Sequence, residues 1–288
     1  MIDALLNYEF LQNAFASGLI IGLIAPLLGV FIVVRRLSLI ADALSHVTLA
    51  GIAGSLLLSQ SVPFFALLNP LYLGIVAAVS GSVLIERLRR LYKHYEELAI
   101  PIIMSSGIGF SAIFISLANG FSSDLFGYLF GSVSAVSRQD LWIVLIIAMI
   151  VSLFLGFFYK ELFVLSFDEE YAKASGIPAK WVHFLFMMVT ALVIAASMRI
   201  VGILLVSSLM TLPVAASMRL AKGFKQAIIY AVIFGEAAVI IGLIIAFYMN
   251  IAPGGTIVVT SIGILLLILI GKKIWLQFVT KDEGGTFA

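Results

Sequence analysis

The stretch Phe15–Val34 carries no charged residue over its length. A helix rises about 1.5 Å per residue and the hydrocarbon core of a bilayer is about 30 Å thick, so roughly 20 apolar residues are needed to cross it. Nine such stretches follow one another: Phe15–Val34, Leu39–Leu58, Phe65–Ile85, Leu98–Ala118, Leu141–Phe158, Val182–Met198, Val201–Met218, Gln226–Met249 and Thr256–Gly271. If one is re-entrant or broken, eight span in full. The weakest boundary is Arg199–Gly202, where two stretches almost touch. Lipid offers no partner for open backbone groups, and the stretches are far longer than barrel strands, so each is read as a helix. The expected fold is an all-α polytopic membrane protein with eight or nine transmembrane helices, forming one transmembrane domain over residues 1–288.

Composition agrees. Asp, Glu, Lys and Arg make up 11% of the chain and apolar residues 62%. A soluble domain needs about a quarter of its residues charged. Cysteine is absent, which excludes disulfides, thiolate metal sites and cysteine nucleophiles. Met1–Gln12 has no basic region and includes Asp3 and Glu9, so no cleavable signal peptide is expected. The Lys and Arg residues sit between apolar stretches and not on one face, which argues against a nucleic-acid partner.

Those basic residues orient the bundle. With the N-terminus outside and the C-terminus cytoplasmic, only Arg138 and Arg199 of the 17 lie outside, leaving 15 inside. The positive-inside rule favours that arrangement over its inverse. It makes Lys160–Lys180 a cytoplasmic connection and Asn119–Asp140 an outer one, with a short interfacial helix over Phe126–Gly131. Gly18 and Gly22, and Ala50 and Gly54, have the small-xxx-small spacing of closely packed membrane helices. Pro26, Pro101 and Pro213 are expected to kink their helices.

Ionisable residues within apolar stretches are costly and point to function. Three stand out: Asp42, His46 and Glu236. Asp42 and His46 are four apart and share a helix face. A carboxylate with an imidazole suits zinc, manganese or iron(II) better than magnesium or calcium. One chain supplies two ligands; two chains about an axis would supply four. A structural role also fits: Asp42 beside Arg35 and Arg36, His46 bonded to a neighbouring helix. Glu236 fits either a pathway lining or a buried ion pair. His183 and His94 are read as interfacial, without a ligand role.

Ser166–Pro178, SFDEEYAKASGIP, is charged and amphipathic, and Gly176 and Pro178 end it as a short helix ends. No GxxxxGK[ST] loop is present; Gly271-Lys272-Lys273 lacks the upstream Gly and the Ser/Thr. The chain therefore cannot supply its own ATPase. HExxH is absent as well, which disfavours an intramembrane zinc protease.

Four blocks carry a resemblance. RRLSLIADALSHVTLAG (Arg35–Gly51), FDEEYAKASGIP (Phe167–Pro178), VGILLVSSLMTLPVAAS (Val201–Ser217) and PGGTIV (Pro253–Val258) resemble, in order and across nearly the whole chain, the permease subunits of zinc- and manganese-importing ABC transporters. The resemblance implies a type II importer: a permease dimer (homo- or heterodimer), two ATPase subunits inside, and an extracellular or periplasmic metal-binding protein. It implies that Asp42 and His46 contact the metal in transit. It also implies that Phe167, Asp168, Glu169, Glu170, Ala172 and Gly176 belong to a coupling helix that docks on the ATPase. An acid frequent before PGGTIV in that family is Asn250 here, and Glu236 matches no family motif. The resulting expectation is a non-enzymatic subunit of an importer for Zn2+, Mn2+ or Fe2+ in the cell membrane, working by alternating access. An imidazole ligates only when neutral, so metal binding should weaken below about pH 6. A gradient-driven secondary transporter or channel would use Asp42 and His46 equally well, but leaves Ser166–Pro178 without a purpose.

Overall fold

Every regular element among the described residues is helical. The computed structural model describes residues 7–118, 120, 123–203 and 205–283, without the side chains of 123, 275, 276 and 278–283. Residues 1–6, Asn119 of the expected outer connection and Leu204 lie outside the described residues, as does the side chain of Lys281.

The helices are α1 (Glu9–Val34), α2 (Ser38–Ser61), α3 (Pro63–Ala66), α4 (Leu71–Leu91), α5 (Ala99–Leu117), α6 (Ser123–Phe130), α7 (Arg138–Phe167), α8 (Glu169–Ala174), α9 (Ala179–Val201), α10 (Val206–Leu220), α11 (Phe224–Met249) and α12 (Pro253–Glu283). A 3₁₀ turn, Glu96–Leu98, leads into α5. Eight helical segments among the described residues are long and apolar enough to cross a membrane. The expected seventh stretch is α10, of 15 residues. At about 1.5 Å per residue it is some 22 Å long, short of the hydrocarbon core. Gly202, Ile203 and Leu205 belong to no helix but to the connection before α10, and Gly202 turns there at φ +86°.

Pro26 and Pro213 lie inside α1 and α10. Pro101 does not interrupt α5; it falls in the first turn, where a backbone N–H has no helical acceptor to lose. The interfacial helix expected over Phe126–Gly131 is α6, and Gly131 follows its end at φ +78°.

Helix association in lipid gains little from apolar burial and depends on close fit. The bundle has two tightly fitted groups. In one, α2 lies against α4 and α5; in the other, α11 lies against α1, α10 and α12. The buried helix α9 touches both, while α1 and α2 scarcely meet although they are consecutive. Beside the Asp42 and His46 turn the fit is close at Gly107 of α5, where a Cβ would come within 2.7 Å of the Val47 nitrogen and 3.1 Å of the His46 carbonyl oxygen. Only glycine lets α5 lie this near the α2 backbone.

The longest helix in mid-chain, α7, has 30 residues and runs about 45 Å, beyond a bilayer core. It carries α8 at its end, packed through Ala172. The sequence reading placed Ser166 and Phe167 in the coupling segment. In the structure they form the last turn of α7, and the break falls at Asp168, whose backbone turns extended (φ −151°, ψ 100°).

Candidate metal passage and coupling segment

Asp42 and His46 sit one turn apart in the first half of α2, and both are half-buried. The carboxylate acts electrostatically on the imidazole. Neither side chain has a hydrogen bond or an ion pair among the described residues. The structural alternative, in which Asp42 pairs with Arg35 or Arg36 and His46 bonds a neighbouring helix, is therefore not realised. Arg35 turns instead to His183, its Nη2 lying 2.8 Å from Nδ1. The helix around the pair is held by its neighbours, not by these two groups. Ser45 and Thr48 return their hydroxyls to the carbonyls of Ala41 and Leu44 at 2.8 and 2.6 Å, and Gly107 presses on the His46 backbone.

No group of three or more His, Cys, Asp or Glu that could hold a metal occurs among the described residues. A carboxylate and an imidazole fall short of the four ligands that zinc usually takes. A second source of donors is needed, which fits the expected pairing of two chains.

Glu236 lies elsewhere. It is half-buried on α11 against α1, where a Cβ at Gly22 would be 3.3 Å from Oε2. It has no ion pair among the described residues, so the buried pair considered for it does not form. Asn250, standing where an acid was expected, ends α11 in the left-handed region at φ 53°. Asn tolerates that conformation better than most side chains.

The coupling segment is a six-residue helix with both ends closed. Asp168 accepts a hydrogen bond from the Tyr171 N–H at 2.8 Å. Glu169 and Lys173 pair across one turn at 2.8 Å. At the far end the Gly176 N–H donates to the Lys173 carbonyl at 3.2 Å and the Ile177 N–H to the Ala172 carbonyl at 3.0 Å. That is a Schellman arrangement, with Gly176 supplying the required left-handed residue at φ +80°. Ala172 is buried, while Phe167, Asp168, Glu169, Glu170 and Tyr171 stay exposed. The hydrogen bond from Lys173 holds the Glu169 carboxyl below its usual range, and the same bond raises the Lys173 ammonium.

Two clusters escaped the sequence reading. At the end of the bundle that carries α6, Asp140 is 1% exposed and fully engaged. It accepts from the Asn69 amide at 2.8 Å and from the Ser137 N–H and hydroxyl at 2.9 and 2.7 Å, and lies 3.5 Å from the Arg199 guanidinium. Arg199 also covers the Tyr128 ring at 4.5 Å. At the end that carries α8, His183 is buried among Arg35, Arg89 and Glu86. Burial lowers the Arg35 guanidinium to about 10.

Known proteins resemble this arrangement. The family described as the ABC 3 transport family matches residues 7–272. The manganese transport system membrane protein MntC of Listeria monocytogenes is 34% identical over 98% of this chain and 98% of its own length. The manganese import system permease protein ScaB of Streptococcus gordonii is 35% identical over 92% of each. Among solved structures, PsaBC from Streptococcus pneumoniae in complex with a Fab superposes with a TM-score of 0.79, at 32% identity over 93% of each chain.

Proposed function

Starting from the ABC 3 transport family, to which this chain belongs, we propose that it is the permease of an ATP-driven importer for a divalent transition metal, and that Asp42 and His46 bind the ion in transit. The observation that carries this reading is the pair itself: an intramembrane carboxylate and imidazole one turn apart, with no hydrogen bond or ion pair to another group among the described residues. Ionisable side chains within membrane-spanning helices are costly and by default point to function, and here both keep their donor atoms uncommitted to hydrogen bonds or ion pairs among the described residues. Manganese is the first choice of cargo, because MntC and ScaB are named for it. A nitrogen and oxygen donor set without sulfur is compatible with it.

In this mechanism an extracellular or periplasmic binding protein delivers the ion to the outer face. Two permease chains each offer Asp42 and His46, and two ligands per chain let the ion go as readily as they hold it. Two ATPase subunits receive α8 on the cytoplasmic side and drive the change of access. The N-terminus lies outside and the basic connections inside, as the charge distribution supports.

The test is metal uptake in cells carrying Asp42→Asn or His46→Gln, with surface expression measured in parallel. Loss of manganese uptake at normal expression supports the site. Normal uptake in both variants refutes it. Competition by zinc during manganese uptake ranks the two metals. Orientation is read separately: the chain has no cysteine, so single cysteines at Lys173 and Gln60 report unambiguously. Labelling of Gln60→Cys but not Lys173→Cys by an impermeant reagent supports an outside N-terminus, and the reverse inverts the topology.

A further inference from the structure

We propose that the cavity lying against α8 is a binding site for a small phosphate-bearing anion. The cavity holds about 600 Å³ and is walled by the ends of α1, α4, α7 and α9 together with α8. Its charge is unbalanced. Arg89, Arg90 and Lys173 each have a carboxylate, in Glu96 at 2.9 Å, Glu86 at 3.1 Å and Glu169 at 2.8 Å. Arg35, Arg36, Lys93 and Lys180 also line the cavity and have no carboxylate within ion-pair distance among the described residues.

Donors also outnumber acceptors. A neutral imidazole has one N–H and one acceptor nitrogen, and a guanidinium only donates. Here Arg35 Nη2 lies 2.8 Å from His183 Nδ1 and Arg89 Nη1 lies 2.8 Å from Nε2, while Glu86 Oε2 is 3.4 Å from the same Nε2. One of the two guanidinium contacts is therefore donor against donor. The Arg35 Nη1 atom is buried with no acceptor among the described residues. Leaving a charged donor unmet in a buried position is costly. An anion rich in acceptor oxygens offsets the charge of Arg35, Arg36, Lys93 and Lys180 around the cavity, and guanidinium groups suit phosphate oxygens in geometry as well as charge. The volume exceeds what one phosphate fills, so the phosphate is carried on a small molecule or on a lipid headgroup. Because Glu169 and Lys173 of α8 form part of the wall, occupancy bears directly on the segment expected to meet the ATPase.

The test uses the full-length chain in nanodiscs without nucleotide-binding subunits. In phosphatidylcholine discs, pyrophosphate is titrated while thermal unfolding and calorimetric binding are followed. In a second arm, phosphatidylglycerol replaces part of the phosphatidylcholine. Each arm is repeated with Arg35→Gln and with the paired exposed changes Arg36→Gln and Lys180→Gln; the latter protect the test should the first variant fail to fold. Saturable stabilisation by pyrophosphate, weakened about tenfold or more in the paired variant, assigns a soluble phosphate ligand. Stabilisation only by phosphatidylglycerol, lost in the same variant, assigns a lipid headgroup. No saturable effect from either probe, or an effect undiminished in the paired variant, overturns the proposal; in that event an acidic segment of the ATPase is the remaining partner for these cations.

Discussion

Asp42 and Asp140 are the same side chain in opposite circumstances. Asp140 is more deeply buried, yet it is met by an amide, a hydroxyl, a backbone N–H and a guanidinium. Asp42 is half-buried and is met by none of these. Burial alone thus does not tell how an acid is used; the partners of its oxygens do, and on that ground Asp42 is the one proposed above to take a ligand. The two histidines repeat the contrast. His183 has three charged neighbours, and His46 has only the field of Asp42.

The contrast breaks first at Asp140. Asp140→Ala leaves Arg199 without its carboxylate, though still bonded to the Ala135 carbonyl, and frees the Asn69 amide; removing one partner of a buried ion pair costs about 3–5 kcal/mol. The variant should unfold at a distinctly lower temperature in detergent; an unchanged transition would mean the network is ornamental. Next come Asp42→Asn and His46→Gln. Their thermal transitions should stay within about 0.5 kcal/mol of the parent, as for changes outside a bonded network. Metal affinity should drop about tenfold or more, since even groups behind a ligand cost that much when altered. Large destabilisation of either variant would show that Asp42 resembles Asp140 after all.

A smaller effect is expected at α8. Asp168→Ala removes the hydrogen bond to the Tyr171 N–H and costs about 1 kcal/mol, most of it local. ATPase association should weaken while bundle unfolding stays put, as shown by co-purification beside a melting curve. The smallest is a pH effect at Glu169. Its folded carboxyl titrates below the usual range, so its contribution is present above that range and is lost as pH falls through the lower folded value. The difference in melting temperature between parent and Glu169→Gln should be constant from neutral pH to about pH 5 and close below about pH 4. A difference that instead grows in acid would reverse the sign.

The sequence exposes some of this structure and hides the rest, for physical reasons. Spanning helices are legible because uncharged length is itself the signal, as in Phe15–Val34 within α1. Their ends are less so: α7 continues to Phe167 and breaks only at Asp168, whose extended backbone and carboxylate cap the next helix instead, and α10 falls short because the connection at Gly202 takes residues from the apolar run. The spacing of Asp42 and His46 is local, so the pair could be found without coordinates. The Asp140 network could not, since Asn69 and Arg199 lie far away in the chain and meet it only in the fold. The same holds for His183, whose partners come from α1 and α4.

The near-contact of Gly107 with the His46 backbone has a mechanical consequence. Helix α2 cannot roll to present its ligands to the other side while α5 stays still, because there is no slack between them. Any movement of α2 would therefore have to carry α5 with it and to shift against α9, which packs on both α2 and α4. A bulky residue at position 107 should jam or displace that helix pair before it disturbs either binding atom.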